Sequence, residues 1–295
     1  MANPYSDADA AILGGHVNVK VSNTWRSTEN VYVKDGGSWR QAKEIYVKEG
    51  GTWRLVQEGD VFKFYVNLTG DTSTQFFLTD YLVSQGWNGT QQIKGVIDVN
   101  RLQGGLTAMY IGALGGAASK VYVKIAAGAR IQGRGGDGGS RGCSGGQNGY
   151  TGLYTRTNVA INNNGLLAGG GGGGGGGNNG SCQGQYCWNY GCMKGSQCQS
   201  CGNYSYGVNG GGGGGGAGYP GGSGRDGGGS GNINGGGGGG GGSGCGSNGG
   251  GSGGGIGLNG QNGACGAGAA GAYIDGASYV YNWVNQGDVR GNSIN

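Results

Sequence analysis

Apolar and polar positions first alternate in short bursts between residues 20 and 56. Val31, Tyr32, Val33 and Lys34 are followed by Asp35, Gly36 and Gly37 and then by Trp39 and Arg40. Ile45, Tyr46, Val47 and Lys48 are followed in the same way by Glu49, Gly50, Gly51, Trp53 and Arg54. Trp25 and Arg26 precede them at the same spacing, so the unit recurs every 14 residues. Each copy predicts strand, turn and strand, because paired glycines supply the positive φ angles of a tight hairpin. The tryptophans are expected to pack a small β module.

From 61 to about 130 the pattern is that of an ordinary small β-rich domain. Val61 to Asn67, Ile93 to Asn100 and Lys120 to Ile125 predict strands, the last with Val121, Val123 and Ile125 on one face. Thr72 or Ser73 can cap a helix running to about Gln85, in which Phe77 and Tyr81, then Leu78 and Leu82, form i,i+4 pairs. Gly86 stands where a C-terminal glycine belongs. This is the one real helix that the pattern predicts.

Beyond Gly133 the grammar changes. Pure glycine runs at 169–177, 210–216 and 235–242 are separated by segments rich in Asn, Ser, Cys and Tyr, and an apolar stretch from Ala272 to Val284 follows them. A flexible linker is one account of such runs. The ordered alternative is a bundle of threefold, left-handed polyglycine II helices that rise about 3.1 Å per residue, so nine glycines would span about 28 Å. Such helices have no internal hydrogen bonds, and every N–H and carbonyl must find a neighbouring helix. Their connections fall at the two ends of the bundle, where loops are free to carry binding. Similar run lengths, their recurrence and the apolar C-terminal stretch favour the bundle.

Composition agrees that side chains alone do not organise this chain: 83 of 295 residues are Gly, against 2 Pro and 8 Cys. Collagen needs Gly at every third position with abundant Pro, which is absent here. The net charge of +4 is diffuse. Between Gly142 and Ile274 the only formal charges are Arg156, Lys194, Arg225 and Asp226, so no basic cluster marks a nucleic-acid binder. The N-terminus does not read as a secretory signal, and no stretch reaches the roughly 20 apolar residues of a membrane span. Neither nucleic-acid binding nor membrane insertion is expected.

Candidate chemistry is sparse. Glycan hydrolysis uses a pair of carboxylates, yet no Glu follows Glu58, and Asp137, Asp226 and Asp275 are far apart and read as turn residues or surface charges. His16 reads as a surface residue, and the glycine strings near Gly133 and Gly266 lack the strand, helix and later acid of a dinucleotide site. The cysteines are Cys143, Cys182, Cys187, Cys192, Cys198, Cys201, Cys245 and Cys265. Only Cys198 and Cys201 have Cys-x-x-Cys spacing, with no second couple, so disulfides are favoured over zinc, their connectivity open. The segment from Asn178 to Asn209 carries Tyr186, Trp188, Tyr190, Tyr204 and Tyr206, with Tyr219 beyond the next run. Tyr and Trp among Ser, Gly and Asn are the composition of binding surfaces, which makes these six the candidate receptor-binding residues. They could instead cover an end or face of the bundle. No catalytic residue, metal or cofactor is expected.

Three stretches carry a resemblance: Ala129 to Gly139, Ile161 to Ala168 with the glycines after it, and the ending Gly287, Asp288, Val289, Arg290 and Gly291. They resemble phage tail-fibre adhesins, and the Gly-rich part is similar to the receptor-recognising tip adhesins of T-even-like phages. That resemblance implies a distal sandwich of polyglycine II helices with hypervariable loops, at the tail-fibre tip of a virion. The fold expected is therefore mainly β and irregular with almost no α-helix. A hairpin-repeat attachment module (1–60) and a small β-rich domain (61–132) precede a polyglycine II receptor-binding domain (133–271), and 272–295 packs back or connects. The expected partners are a bacterial surface receptor, either an outer-membrane protein or a glycan, and other tail or fibre proteins held through the N-terminal half. The chain is then a monomer on a trimeric fibre or a homotrimer. A structural fibre, spike or decoration protein with a rigid glycine spacer is the alternative function, and an ice-binding glycine-rich protein is a third reading that the homopolymeric runs do not favour.

Overall fold

The computed structural model describes residues 17–21, 24–28, 31–42, 44–58, 61–191, 197–242 and 248–295. His16 lies outside them, as do Cys192 and Cys245. Three antiparallel hairpins come first: β1 (Val17–Val21) with β2 (Thr24–Thr28), β3 (Tyr32–Asp35) with β4 (Ser38–Gln41), and β5 (Glu44–Glu49) with β6 (Thr52–Glu58). Register sets Lys20 opposite Trp25, Lys34 opposite Trp39 and Lys48 opposite Trp53. The 14-residue repeat is thus a repeat of paired positions. In the second and third copies the lysine ammonium lies 6.0 and 5.7 Å from the Trp ring centre. Trp39 and Trp53 nevertheless stay 68% and 64% exposed, contrary to the expectation that they pack a module, because a two-stranded sheet has no second layer to bury them.

The next elements wind in parallel turns through three sheets. β7 (Val61–Leu68) and β8 (Phe76–Phe77) belong to the first turn, and the helix α1 (Leu78–Ser84) follows. β9 (Gln92–Val99), β10 (Leu102–Gln103) and β11 (Met109–Ile111) make the second turn. β12 (Lys120–Ile125), β13 (Arg130–Gln132) and β14 (Leu153–Thr155) make the third. β15 (Asn158–Asn163), β16 (Leu166–Ala168) and β19 (Ala272–Asp275) make the fourth, with the hairpin β17 (Gly180–Gly191) and β18 (Gln197–Val208) between the last two. β20 (Val280–Asn285), β21 (Asp288–Arg290) and β22 (Asn292–Ile294) complete the fifth. The first face is β7-β9-β12-β15-β20, the second β10-β13-β16-β21 and the third β8-β11-β14-β19-β22. Every pairing within these faces is parallel, so this part is a three-faced β-solenoid. The apolar stretch after the glycine runs supplies its last turns.

Alternation along each strand fills the interior with stacked residues. Ile93, Ile97, Val121, Val123, Val159 and Ile161 are fully buried there. Gly95 stands in register with Phe64, and a Cβ at Gly95 would run into the Phe64 ring. Its lack of a side chain makes room for that ring. At a corner, the buried Asn163 amide donates to the carbonyls of Gln286 and Asp288 at 2.8 and 2.9 Å, tying the fourth turn to the fifth. The helix is shorter than the sequence predicts. Thr72 bridges Gln103 and Phe76–Phe77 form β8, so these residues are committed to the solenoid, and α1 starts at Leu78 without a side-chain cap. Gly86 does take φ 93 just past the helix. Tyr81 of α1 packs edge-on to Phe64, ring centres 6.4 Å apart.

The glycine-rich sequence leaves and re-enters the solenoid at the corner between its second and third faces. Residues 133–152 lie between β13 and β14, and residues 169–271 between β16 and β19. The run 169–177 sits in the middle of a ring. Gly170, Gly173 and Gly176 donate to Tyr150, Gln147 and Ser144, and Gly171, Gly174 and Gly177 donate to Ala217, Gly214 and Gly211. Gly172 and Gly175 donate to Leu258 and Gln261. Its carbonyls accept from Gly136, Gly139 and Gly142, from Gly257, Gly254 and Gly251, and from Gly271, Gly268 and Cys265. Partners recur every third residue, so six segments surround the run and bond to one another around it. All nine of its N–H groups and all nine of its carbonyls are paired, as buried peptide groups require.

The run 210–216 has a second such ring that shares segments with the first, with partners at Asn248, Asp226, Gly139, Gly251, Gly229 and Gly136 on the donor side. Backbones packed on all sides leave no place for a Cβ: at Gly173 it would fall inside the van der Waals shell of the Asp137 carbonyl, and at Gly214 inside that of Gly237. At the rim the constraint lifts, and a Cβ at Gly238 would meet nothing. Cys143 and Cys265, 122 residues apart in sequence, form a disulfide at the end of the array farthest from the solenoid.

Gly173→Ala should therefore cost more than roughly 3 kcal/mol, since the obstacle is backbone that cannot rotate away, whereas Gly238→Ala should change stability by less than about 0.5 kcal/mol. Denaturant unfolding followed by circular dichroism measures both, and equal effects would contradict the account of the runs. Cys143→Ser should remove about 2–4 kcal/mol. Reductant added to the unsubstituted protein should cost at least as much, because it opens every disulfide.

Candidate functional site

The hairpin β17–β18 emerges where the run 169–177 ends and the run 210–216 begins. The Asn179 side chain accepts the Gly210 N–H at 3.0 Å and closes its base. Register runs from Gly180 opposite Val208 to Gly191 opposite Gln197. Successive strand residues alternate between faces, so Tyr186, Trp188 and Tyr190 share one face. Tyr204 stands opposite Gly184 and Tyr206 opposite Cys182, which assigns both to that same face. The other face takes Gln183, Gln185 and Asn189 with Gln199, Asn203 and Ser205, and there Cys187 stands opposite Cys201. Five of the six sequence-predicted binding residues are thus brought to one face of one hairpin.

Tyr219 is not with them. Its carbonyl accepts from Gly105 at 2.8 Å and its ring would block a Cβ at Gly104, which puts it at the solenoid end of the array. Of the cysteines, Cys143 and Cys265 are bonded; Cys182, Cys187, Cys198 and Cys201 fall on the hairpin strands.

The aspartates considered as acids each hold another group in place. Asp137 is only 8% exposed and accepts from Arg134 at 2.7 Å and from the Ser223 N–H at 2.8 Å. It is a buried link, not the turn residue or surface charge that the sequence suggests, because the neighbouring segments of the array close over it. Asp226 accepts the Arg141 N–H at 2.8 Å, joining two loops at the hairpin end. Asp275 pairs with Arg156 at 2.8 Å. Among the described residues, no group of three or more His, Cys, Asp and Glu could hold a metal ion, and no helix is long and apolar enough to cross a membrane.

One feature escapes sequence reasoning. On the third solenoid face Phe77, Tyr110 and Tyr154 stand in one column, with Tyr110 and Tyr154 stacked at 4.4 Å and 8°. The Arg156 guanidinium lies 4.2 Å from the Tyr154 ring centre. Burial, the Tyr110 hydroxyl and nearby Asp275 push the Tyr154 phenol above its ordinary pKa against the pull of Arg156, so it stays neutral at physiological pH. The Asp275 hydrogen bond raises Arg156 in turn. Phe77, Tyr110, Tyr154 and Asp275 follow one another at separations of 33, 44 and 121 residues, and only the turn lengths of the solenoid align them.

No curated protein sequence matches the chain. It is similar in structure to the gp37-gp38 adhesin tip complex of the bacteriophage S16 long tail fibre, with a TM-score of 0.47 and 22% identity over 80% of this chain and 83% of that one. The sequence profile of the phage tail fibre adhesin Gp38 family matches residues 63–294. That match takes in the solenoid, the glycine array and the hairpin together, and the chain belongs to the phage tail fibre adhesin Gp38 family.

Proposed function

We propose that this tail-fibre adhesin recognises a receptor on the bacterial surface, either an outer-membrane protein or a glycan, through the aromatic face of the hairpin β17–β18. The observation that carries the reading is the register, which gives Tyr186, Trp188, Tyr190, Tyr204 and Tyr206 one common face. Large aromatic residues bind with much contact area and little ordering cost, and they dominate the energetics of interfaces. The adhesin works by binding, without chemistry. Several copies on one particle convert a modest affinity into firm attachment.

The glycine array is read as a polyglycine II bundle, supported by the threefold recurrence of hydrogen-bond partners along 169–177. It serves as a stiff mount between the solenoid and the binding loops. The solenoid and the N-terminal hairpins are the half that joins the rest of the fibre. Tyr219 belongs to the mount, where its ring seals the junction with the solenoid. Cys187 and Cys201 are a cross-strand disulfide pair on this reading, since directly opposed positions in antiparallel strands stand about 4.5–5.5 Å apart at Cα and a disulfide tolerates 4.4–6.8 Å. Such a link preorganises the hairpin and lowers the ordering cost of binding.

Purified protein carrying Trp188→Ala together with Tyr204→Ala should lose at least tenfold in binding to susceptible cells, about 1.4 kcal/mol or more. Replacing Gln183, Gln185 and Asn203 by Ala on the other face should leave binding within about twofold. Equal losses from the two sets, or none from the first, would remove the hairpin face as the binding surface. No binding of the unsubstituted protein would instead favour a purely structural fibre component.

A further inference from the structure

A cleft of about 310 Å³ opens where the second solenoid face meets the rim of the glycine array. The solenoid contributes Arg130, Leu166, Asp288 and Arg290, and the array contributes Asn234 and Ile256. Arg130, Leu166 and Asp288 are stacked in one register column across three turns, so the cleft is built on the stiffest part of the fold. Leu166 and Ile256, 7% and 8% exposed, pack together against Ala168 and Ala217 beneath the cleft and hold its two walls together.

The polar side is rich in donors. Arg130 spends one terminal guanidinium nitrogen on the Asn234 side-chain oxygen at 2.7 Å. Arg290 uses Nε and Nη2 on the Asp288 carboxylate at 3.1 and 2.8 Å. Those bonds leave further N–H groups of Arg130, the second terminal nitrogen of Arg290 and the Asn234 amide nitrogen uncommitted among the described residues. Asp288 is matched by Arg290, so the wall keeps the net charge of one guanidinium. Planar guanidinium donors suit a carboxylate, and the amides of Asn164 and Asn234 on the same lining suit the hydroxyls of a sugar. The volume lies at the lower end of small-molecule sites, which fits one sugar unit.

We propose that this cleft binds an acidic sugar residue, a uronic or similar carboxylated pyranose of a bacterial surface glycan, with its carboxylate on Arg130 and Arg290 and its hydroxyls on the polar lining beside them. The site is separate from the hairpin face, at the opposite end of the run 169–177. It gives the adhesin a second, weaker hold on the cell envelope that is independent of the main receptor.

Titration of the full-length protein with sodium glucuronate and with glucose, followed by ligand-observed NMR, tests the assignment. Glucuronate should bind in the millimolar range, and glucose at least tenfold more weakly. Arg130→Gln should weaken glucuronate at least tenfold. Asn234→Asp, at an exposed position, should do the same by placing a negative charge on the wall, and it carries the test should the arginine variant fail to fold. Trp188→Ala should leave glucuronate binding unchanged, so failure of the hairpin proposal and of this one are distinguishable. Equal binding of both sugars, no binding of either, full displacement of glucuronate by equimolar inorganic phosphate, or unaltered binding by Asn234→Asp would each overturn the proposal.

Discussion

A peptide segment with no side chains still carries one donor and one acceptor per residue, and it can be buried only if other backbones satisfy them all. That requirement organises this adhesin. The run 169–177 meets it through six surrounding segments, and those segments can approach because glycine leaves the space between backbones empty. Glycine is normally the costliest residue to order. Here the cost is offset by complete hydrogen bonding and by packing at a density that any Cβ would break. In this half of the molecule the interior is peptide groups, where an ordinary domain has side chains.

The solenoid supplies what the array lacks, a core of Ile, Val and Leu side chains and a fixed starting register. Because both glycine excursions leave from the same corner in consecutive turns, 133–152 and 169–271 begin side by side. The backbone bonds from Gly136 to Gly171 and from Gly133 to Ala168 carry the pairing of β13 and β16 directly into the array. The last turns then close over the exit, with Gly169 donating to Arg290. Chain entry, array and return form one continuous hydrogen-bonded object, and the hairpin with the aromatic residues sits at its free end. Under the function proposed above, a mount of this kind presents its binding surface at little further loss of entropy.

The local features of the fold are legible in the sequence. The 14-residue Trp repeat becomes paired hairpins, and Val61, Ile93 and Lys120 lie in or begin strands close to where alternation places them. The three glycine runs, the one helix and the membership of a tail-fibre adhesin family are visible from the residues as well. What depends on distant partners is not. The helix starts late because Phe76 and Phe77 answer to Met109 and Tyr110, and nothing local to Thr72 says so. Ala272 and its successors reveal only that they must pack, whereas their pairing with Leu153 and Asn158 strands follows from the length of the intervening array. Eight cysteines leave the pairing open until the ring brings Cys143 and Cys265 together. Tyr219 looks like its aromatic neighbours in composition, yet the seven glycines before it carry the chain back to the solenoid.

The central claim is that the glycine runs are buried core, and native-state hydrogen exchange of their amides tests it most directly. The amides of 169–177 should exchange as slowly as those of Ile97 and Val123, through global unfolding. Exchange of those glycines at the rate of an unstructured chain, with the solenoid strands still protected, would contradict the account.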